Sequence, residues 1–357
     1  MSGDPSGAPG AEPEAPSLLA LTPAETLAAV EERGGRAFQA RSIRRHVFER
    51  AVVDYAAMTD LPARLRERLA EELPILSGEG LDERRAPDGT LKLLTRFPER
   101  RGVGGSVETV WIASARADRG ATLCVSTQIG CPVRCPFCAS GKDGLDRNLS
   151  GHEILEQYVR GLLVGPYART VVMGIGEPLL NLPAMTHALD AVRDEIGLGA
   201  RKITVSTVGF PDRLRALAAQ QPRFQLAISL HTPFDDERDE LVPLMAGTPI
   251  EEVLAAGDHW FDATGREITY EYVLLGAAND TPDHAHRLVE RLRNRRATVN
   301  LIPYNPVPGD RWQRPAPETV ERFRATLEYG GLVATTRWSK GVAAHAACGQ
   351  LRQRHRA

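Results

Sequence analysis

The stretch "CVSTQIGCPVRCPFCASG", residues 124–141, holds four of the five cysteines in a chain of 357 residues. Its first residues close the apolar run "ATLCVS" (121–126), which reads as a short buried strand. Beyond the strand, Cys131, Cys135 and Cys138 form a C-x3-C-x2-C loop that Pro132 and Pro136 stiffen. A zinc site usually takes four ligands, either two closely spaced cysteine pairs or cysteines with histidines. No second pair and no histidine stands here at matching spacing. Three thiolates on one tight loop instead suit an iron–sulfur cluster with one iron left without a protein ligand. Such an open position lets a small molecule bind the metal. A zinc site, or three unrelated thiols, are the readings this one competes with.

Working outward from that loop, short apolar runs alternate with helical stretches. They include "EILEQYVRGLLVG", "TVVMGIG", "MTHALDAVRDEI", "KITVST", "FQLAISLH", "EITYEYVLL" and "ATVNLIPYN". Strand-then-helix units in series imply a parallel sheet with right-handed crossovers. The expectation for residues 121–351 is an α/β fold, a partial (β/α)6-type barrel with its site at the C-terminal ends of the strands. Residues 86–120 read as linking strands, with Asp88-Gly89 as a hairpin turn. Residues 17–85 read as a small helical accessory domain. There Thr22 is an N-cap, Pro23 the first helical residue and Glu25 the far side of a capping box. Its Arg41, Arg44, Arg45, Arg64, Arg66 and Arg68 are either phosphate contacts or a solvated face balanced by nearby acids. Residues 1–16, rich in Pro, Gly and Ala, read as a disordered tail, and 352–357 as a second tail.

The chain is 42% apolar and 25% charged, with formal net charge -2, so no global basic field advertises nucleic acid. A local basic face remains compatible with that total. No apolar run approaches the roughly 18 residues of a membrane span, and no secretion signal is apparent. An odd, clustered cysteine count argues against an extracellular disulfide framework. The expected compartment is the cytoplasm.

The C-x3-C-x2-C loop, with Phe137 before its last cysteine, resembles that of radical S-adenosylmethionine (SAM) enzymes. "MGIGEPLLN" (173–181), after a strand, resembles their SAM-binding stretch. With "FCASGKDGLDRNLSGHEILEQ", "ITVSTVGFP", "AISLHTP", "LIPYNPVPG" and "ACGQL" following in order, the chain from Arg36 to Leu351 resembles the RlmN/Cfr family of radical SAM RNA methyltransferases.

The resemblance implies one 4Fe-4S cluster on Cys131, Cys135 and Cys138. It implies SAM contacts from Gly176, Glu177, Ser206, Ser229, Leu230, His231 and Asn305. Cys348 in "AACGQL" matches the family's methyl-carrying cysteine, Cys124 its resolving partner, and Glu108 in "VETVWI" its proton acceptor, at a slightly longer spacing from Cys124. All five cysteines then have a role. The implied reaction is methylation of an adenosine, at C2 in preference to C8, in ribosomal RNA, with tRNA as a second candidate substrate. The chain would act as a monomer with a one-electron donor such as flavodoxin. The stretch "SKGVAAHA" before Cys348 departs from the acidic sequence common in the family, which leaves the RNA and the target carbon open. A radical SAM enzyme of the same mechanism acting on another RNA, a peptide or a small molecule, and a non-catalytic Fe-S or Zn RNA-binding module, are the alternatives.

Overall fold

The computed structural model describes residues 17–114, 116–307 and 309–351; the tails expected at 1–16 and 352–357 lie outside them. The chain divides into two compact units at Ser77/Gly78.

The first unit is helical: α1 (Pro23–Glu32), α2 (Ala37–Phe48) and α3 (Ala63–Glu72). The Thr22–Glu25 capping box forms, with Pro23 at the first helical position. Leu18, Leu19, Val30, Ile43, Val47, Met58 and Leu69 are buried in this unit. Arg44 is buried too. It donates to Thr26 Oγ1 at 2.8 Å and to the Leu21 carbonyl at 3.0 Å, so it is a core fastener and is withdrawn from any phosphate. Arg68 pairs with Glu72 along α3, and Arg66 donates to the Ala56 carbonyl. Arg41, Arg45 and Arg64 remain exposed.

The second unit begins with β1 (Glu79–Arg85), β2 (Leu91–Arg100), β3 (Val103–Ile112) and β4 (Ala121–Cys124). The break between units falls before the boundary at residue 85 expected from sequence. Glu79–Arg85 pairs antiparallel with β2 despite having one apolar residue, because the strand is exposed along most of its length and needs little apolar content. Next come β5 (Gln128–Gly130), β6 (Leu145–Asn148), α4 (Gly151–Val164), β7 (Tyr167–Val172), α5 (Leu182–Ala191), β8 (Ile203–Thr207), α6 (Pro211–Ala219) and β9 (Gln225–Ser229). The chain continues through α7 (Asp235–Leu241), α8 (Ile250–Thr264), β10 (Ile268–Leu274), α9 (Pro282–Leu292), β11 (Ala297–Pro303), α10 (Pro317–Tyr329) and β12 (Val333–Thr336).

One ten-stranded sheet runs β1-β2-β3-β4-β7-β8-β9-β10-β11-β12. From β4 onward every pairing is parallel, and the strands follow chain order. That is the expected partial (β/α) barrel: successive crossovers of one hand curl the sheet, and β1 and β12 stay as separate edges. Strand alternation divides the side chains. Thr170 points outward, donating to the Leu123 carbonyl and lying beside the Tyr158 hydroxyl of α4. Ser206, Ser229, Glu271 and Val273 point into the barrel. Among the described residues no helix is long and apolar enough to cross a membrane.

The antiparallel strands β1–β3 also hold the segment that leads to Cys348. Asp88, at the β1–β2 turn, accepts from the Gly341 amide at 2.8 Å. Lys92 donates to the His345 carbonyl at 3.0 Å, and Lys340 donates to the Ala113 carbonyl at 2.6 Å.

Candidate active site

β4 delivers the chain into the cysteine loop, and the loop folds back through the β5–β6 pair, where the Cys131 amide donates to the Gly144 carbonyl at 2.8 Å. Arg134 takes a positive φ of 59° inside the loop. Cys131, Cys135 and Cys138 line one cavity at the C-terminal ends of the parallel strands. Burial pushes the Cys131 thiol up to about 12, and holds Cys135 and Cys138 above the usual thiol range as well. Thiols so placed stay protonated until a metal takes the proton's place. Among the described residues no three His, Cys, Asp or Glu side chains gather as a site for a single ion. Three partly buried thiols on one loop, all facing one cavity, suit a cluster with an open iron.

Gly176, Glu177, Ser206, Ser229, His231, Asn305 and Cys348 line the same cavity. Gly176 has a φ of 115°, and a Cβ there would come within 2.7 Å of Thr127 Oγ1, so glycine is required for the loop to pass this close. Glu177 is more occupied than the sequence suggested. Its Oε1 accepts from the Leu179 amide at 3.0 Å and the Thr207 hydroxyl at 2.6 Å, and its Oε2 accepts from the Val208 amide at 2.9 Å. These bonds tie the loop after β7 to the end of β8. They leave room at Oε2 for one further donor, such as an ammonium group. Burial raises the carboxyl, and the three donors pull it back.

His231 adopts a positive φ of 68° at the end of β9, a conformation that costs energy for a non-glycine residue. Its Nδ1 accepts from the Val273 amide at 3.2 Å, and the Phe137 ring meets it edge-on at 5.0 Å. Burial lowers its pKa to about 3, so the ring is neutral at pH 7 and offers Nε2–H as a donor. Leu230 is buried, and its amide donates to the Glu271 carbonyl; it is not part of the cavity wall.

Asn305 faces the cavity, yet its amide holds the Cys348 loop. Nδ2 donates to the Cys348 carbonyl at 3.0 Å and to Ser339 Oγ at 2.8 Å. The Ala139 amide, next to Cys138, donates to the Gly349 carbonyl at 2.8 Å. Ser140 donates to the Leu351 carbonyl at 2.7 Å, and Gln350 to the Pro306 carbonyl at 2.9 Å. Cys348 is thereby pinned against the loop that carries the three cysteines.

Cys124 is buried beside Val110, Ile175, Ala346 and Leu351, outside the cavity wall. Burial pushes its thiol up to about 12 and that of Cys348 to about 11. Each is drawn back chiefly by the Arg337 guanidinium, and charge on Cys348 is felt at Cys124, so both thiols share one electrostatic neighbourhood. Both are free thiols here. Glu108, on β3, lies elsewhere: its Oε1 meets Lys92 Nζ at 2.6 Å in a buried ion pair away from the cavity wall.

Two groups escaped the sequence reading. Glu271 on β10 lines the cavity with Cys348 and accepts from Asn300 Nδ2 at 2.7 Å; burial raises its carboxyl. Arg337 follows β12, and its Nη1 approaches Met173 Sδ at 3.5 Å. A glutamate amid the apolar residues of "TYEYVLL" signals a buried polar function, whereas nothing in the sequence near Arg337 marks it.

Residues 125–292 match the family model of the radical SAM superfamily, and residues 17–75 that of the ribosomal RNA large subunit methyltransferase N-terminal domain. A probable dual-specificity RNA methyltransferase RlmN of Rhodopirellula baltica is 45% identical, over 91% of this chain and 87% of that protein. One from Thermosynechococcus vestitus is 39% identical over 94% and 98%. The crystal structure of a radical SAM methyltransferase from Sphaerobacter thermophilus superposes with a TM-score of 0.87 at 40% identity, covering 94% of this chain and 99% of that one. The cysteine loop, the strand-end cavity and the pinned Cys348 thus sit in a chain that belongs to the RlmN family of radical SAM methyltransferases.

Proposed function

We propose that this chain methylates an adenosine of ribosomal RNA, and of tRNA, at C2 in preference to C8, with Cys348 as the methyl carrier. The observation that carries the reading is that Cys348, from the far end of the chain, lines the same cavity as Cys131, Cys135 and Cys138. The family works with a 4Fe-4S cluster and SAM, which when bound supply a methyl group and, on one-electron reduction, a 5′-deoxyadenosyl radical able to take hydrogen from a methyl group.

The residues of the chain account for the rest. Adenine C2 and C8 are not nucleophilic, so the methyl carbon has to reach the ring as a radical held on a sulfur that can later let go. Cys348 must ionise before it can accept a methyl group; Arg337 favours that ionisation against burial. Once the carrier carbon has bonded to the ring, RNA is tied to Cys348, and the ring, still a radical, would give up one electron, with a bound cluster as its acceptor, and then its proton. Sequence points to Glu108 for that proton and the cavity points to Glu271. We favour Glu271, since it shares the cavity with Cys348 and its burial raises its carboxyl above the ordinary range, while Glu108 is committed to Lys92. Cys124, as thiolate, then attacks the Cys348 sulfur; the sulfur–sulfur bond forms as the carbon–sulfur bond breaks, the electron pair stays on the former methylene carbon, which takes up a proton to become the methyl group, and the methylated ring departs. A dithiol reductant restores both thiols. The target base must leave its stack to reach a buried sulfur, which favours an unpaired or splayed nucleotide. We place the protein in the cytoplasm as a monomer, with a flavodoxin-like donor of single electrons.

Anaerobic reconstitution with iron, sulfide and methyl-labelled SAM, in the presence of bulk ribosomal RNA and tRNA, tests this. Label is expected in methyladenosine on nucleoside mass analysis. Label on Cys348 with none in any nucleoside would leave an enzyme acting on a peptide or small molecule. Label at neither place would leave a non-catalytic cluster- or zinc-binding module.

A further inference from the structure

Cys348 forms part of the wall of a second cavity. This one has a volume of about 520 Å³ and is also lined by Arg119, Arg169, Arg201, Lys202, Arg337 and Lys340, with no aspartate or glutamate. The volume lies in the range of sites that hold small organic groups. The cations come from separate places in the sequence that the sheet brings together. Arg119 precedes β4, Arg169 lies in the first half of β7, and Arg201 and Lys202 immediately precede β8. All four therefore sit towards the N-terminal ends of the parallel strands, opposite the cysteine loop. Arg169 pairs in register with Thr122, and Val171 with Cys124, so alternation puts Arg169 on the same face of the sheet as the Cys124 thiol.

Four of the six charges are uncommitted. Arg119, Arg169, Arg201 and Lys202 are exposed, and none forms an ion pair among the described residues. Clustered like charges repel and need a counter-charge. Trp338 stands in the same wall, 45% exposed, with the Arg314 guanidinium 5.6 Å from its ring centre. An exposed indole amid cations offers a base a stacking face. A chain of formal net charge -2 has here gathered six cations around one opening.

We propose that this basic bay receives the sugar–phosphate backbone flanking the target nucleotide, so that the base reaches Cys348 from the side opposite the SAM cavity. The proposal rests on the RNA reading above and adds to it the surface and direction of approach. Phosphodiester is the occupant that fits, because the bay presents several cations at once and stacking area beside them. The sulfur of Cys348 has to meet both the cofactor and the base, and a wall shared by two cavities allows that without exchange of one for the other.

The test uses the reconstituted full chain with Arg201→Ala/Lys202→Ala. Methylation rates are measured against RNA concentration at several salt concentrations, and only for preparations in which Cys348 takes up methyl label. The expected result is an RNA KM raised about tenfold or more, with kcat changed less. The slope of log affinity against log salt should become shallower by about 1.5, the loss of two phosphate contacts. An unchanged KM and salt slope overturn the bay while leaving RNA methylation standing; failure of the unsubstituted chain to methylate RNA overturns the reading beneath it. On that unsubstituted chain, acylation of Lys202 is followed by peptide mass analysis. RNA is expected to protect Lys202, and equal labelling with and without RNA overturns the proposal independently of any variant.

Discussion

The two cavities that meet at Cys348 are built on opposite terms. The one at the C-terminal strand ends is lined by thiols, glycines and buried polar groups whose hydrogen bonds are nearly all made within the protein. The other, towards the N-terminal ends, is lined by cations and hydroxyl-bearing threonines, and four of the cations are exposed with no ion pair among the described residues. A small, neutralised and shaped enclosure suits a cofactor that must be cleaved in one way. An open charged bay suits a polymer held by many weak, salt-sensitive contacts. On the proposed roles, the contrast separates making the reactive species from admitting the molecule that receives it.

That separation can be broken by experiment, beginning with the largest effect. Cys131→Ala would remove one of the three proposed cluster ligands; SAM cleavage should fall about a thousandfold or more, with RNA present or absent, as read by 5′-deoxyadenosine formation. Retained cleavage would detach the cavity from the chemistry altogether. Cys124→Ala should halt turnover after the carbon bond forms, so that protein and RNA migrate together on a denaturing gel. Free protein and normal product would remove Cys124 from the reaction. Glu271→Gln should slow RNA methylation about a hundredfold, with methyl uptake on Cys348 retained. Glu108→Gln should show chiefly as lost stability, about 3 kcal/mol in urea unfolding, because a buried partner of Lys92 is neutralised. The opposite pattern would return the proton to Glu108.

The smallest effect concerns His231. Its folded pKa is about 3 and its ordinary value 6.5. As pH falls below 6.5 the unfolded chain binds a proton that the folded chain refuses, so stability is lost towards acid. The slope is at most about 1.4 kcal/mol per pH unit. His231→Gln should flatten the difference between urea midpoints at pH 6.5 and pH 5 relative to the unsubstituted protein. An identical slope would mean that the ring is not held neutral by burial.

The same contrast explains what could be read from the chain beforehand. The barrel was legible because each strand and helix carries its own periodicity, and the cysteine loop because its ligands are neighbours in sequence. β1 was not, since "EGLDERR" is an exposed strand whose place is set by β2 alone. Arg44 looked like a surface cation, but its hydrogen bonds come from residues some twenty positions earlier. Glu108 alternates with apolar neighbours as a solvent-facing residue would, and only the fold reveals the buried Lys92 opposite. The bay was invisible for a similar reason: its cations are scattered singly or in pairs, and a charge field is a sum over space.

The hydrogen bonds from Ala139 and Ser140 to Gly349 and Leu351 have one further consequence. On the roles proposed for the cysteine loop and Cys348, iron insertion and presentation of the transferable carbon depend on the same few backbone contacts. A preparation only partly filled with metal should therefore contain two populations, and its iron content should count the molecules able to accept a first methyl group.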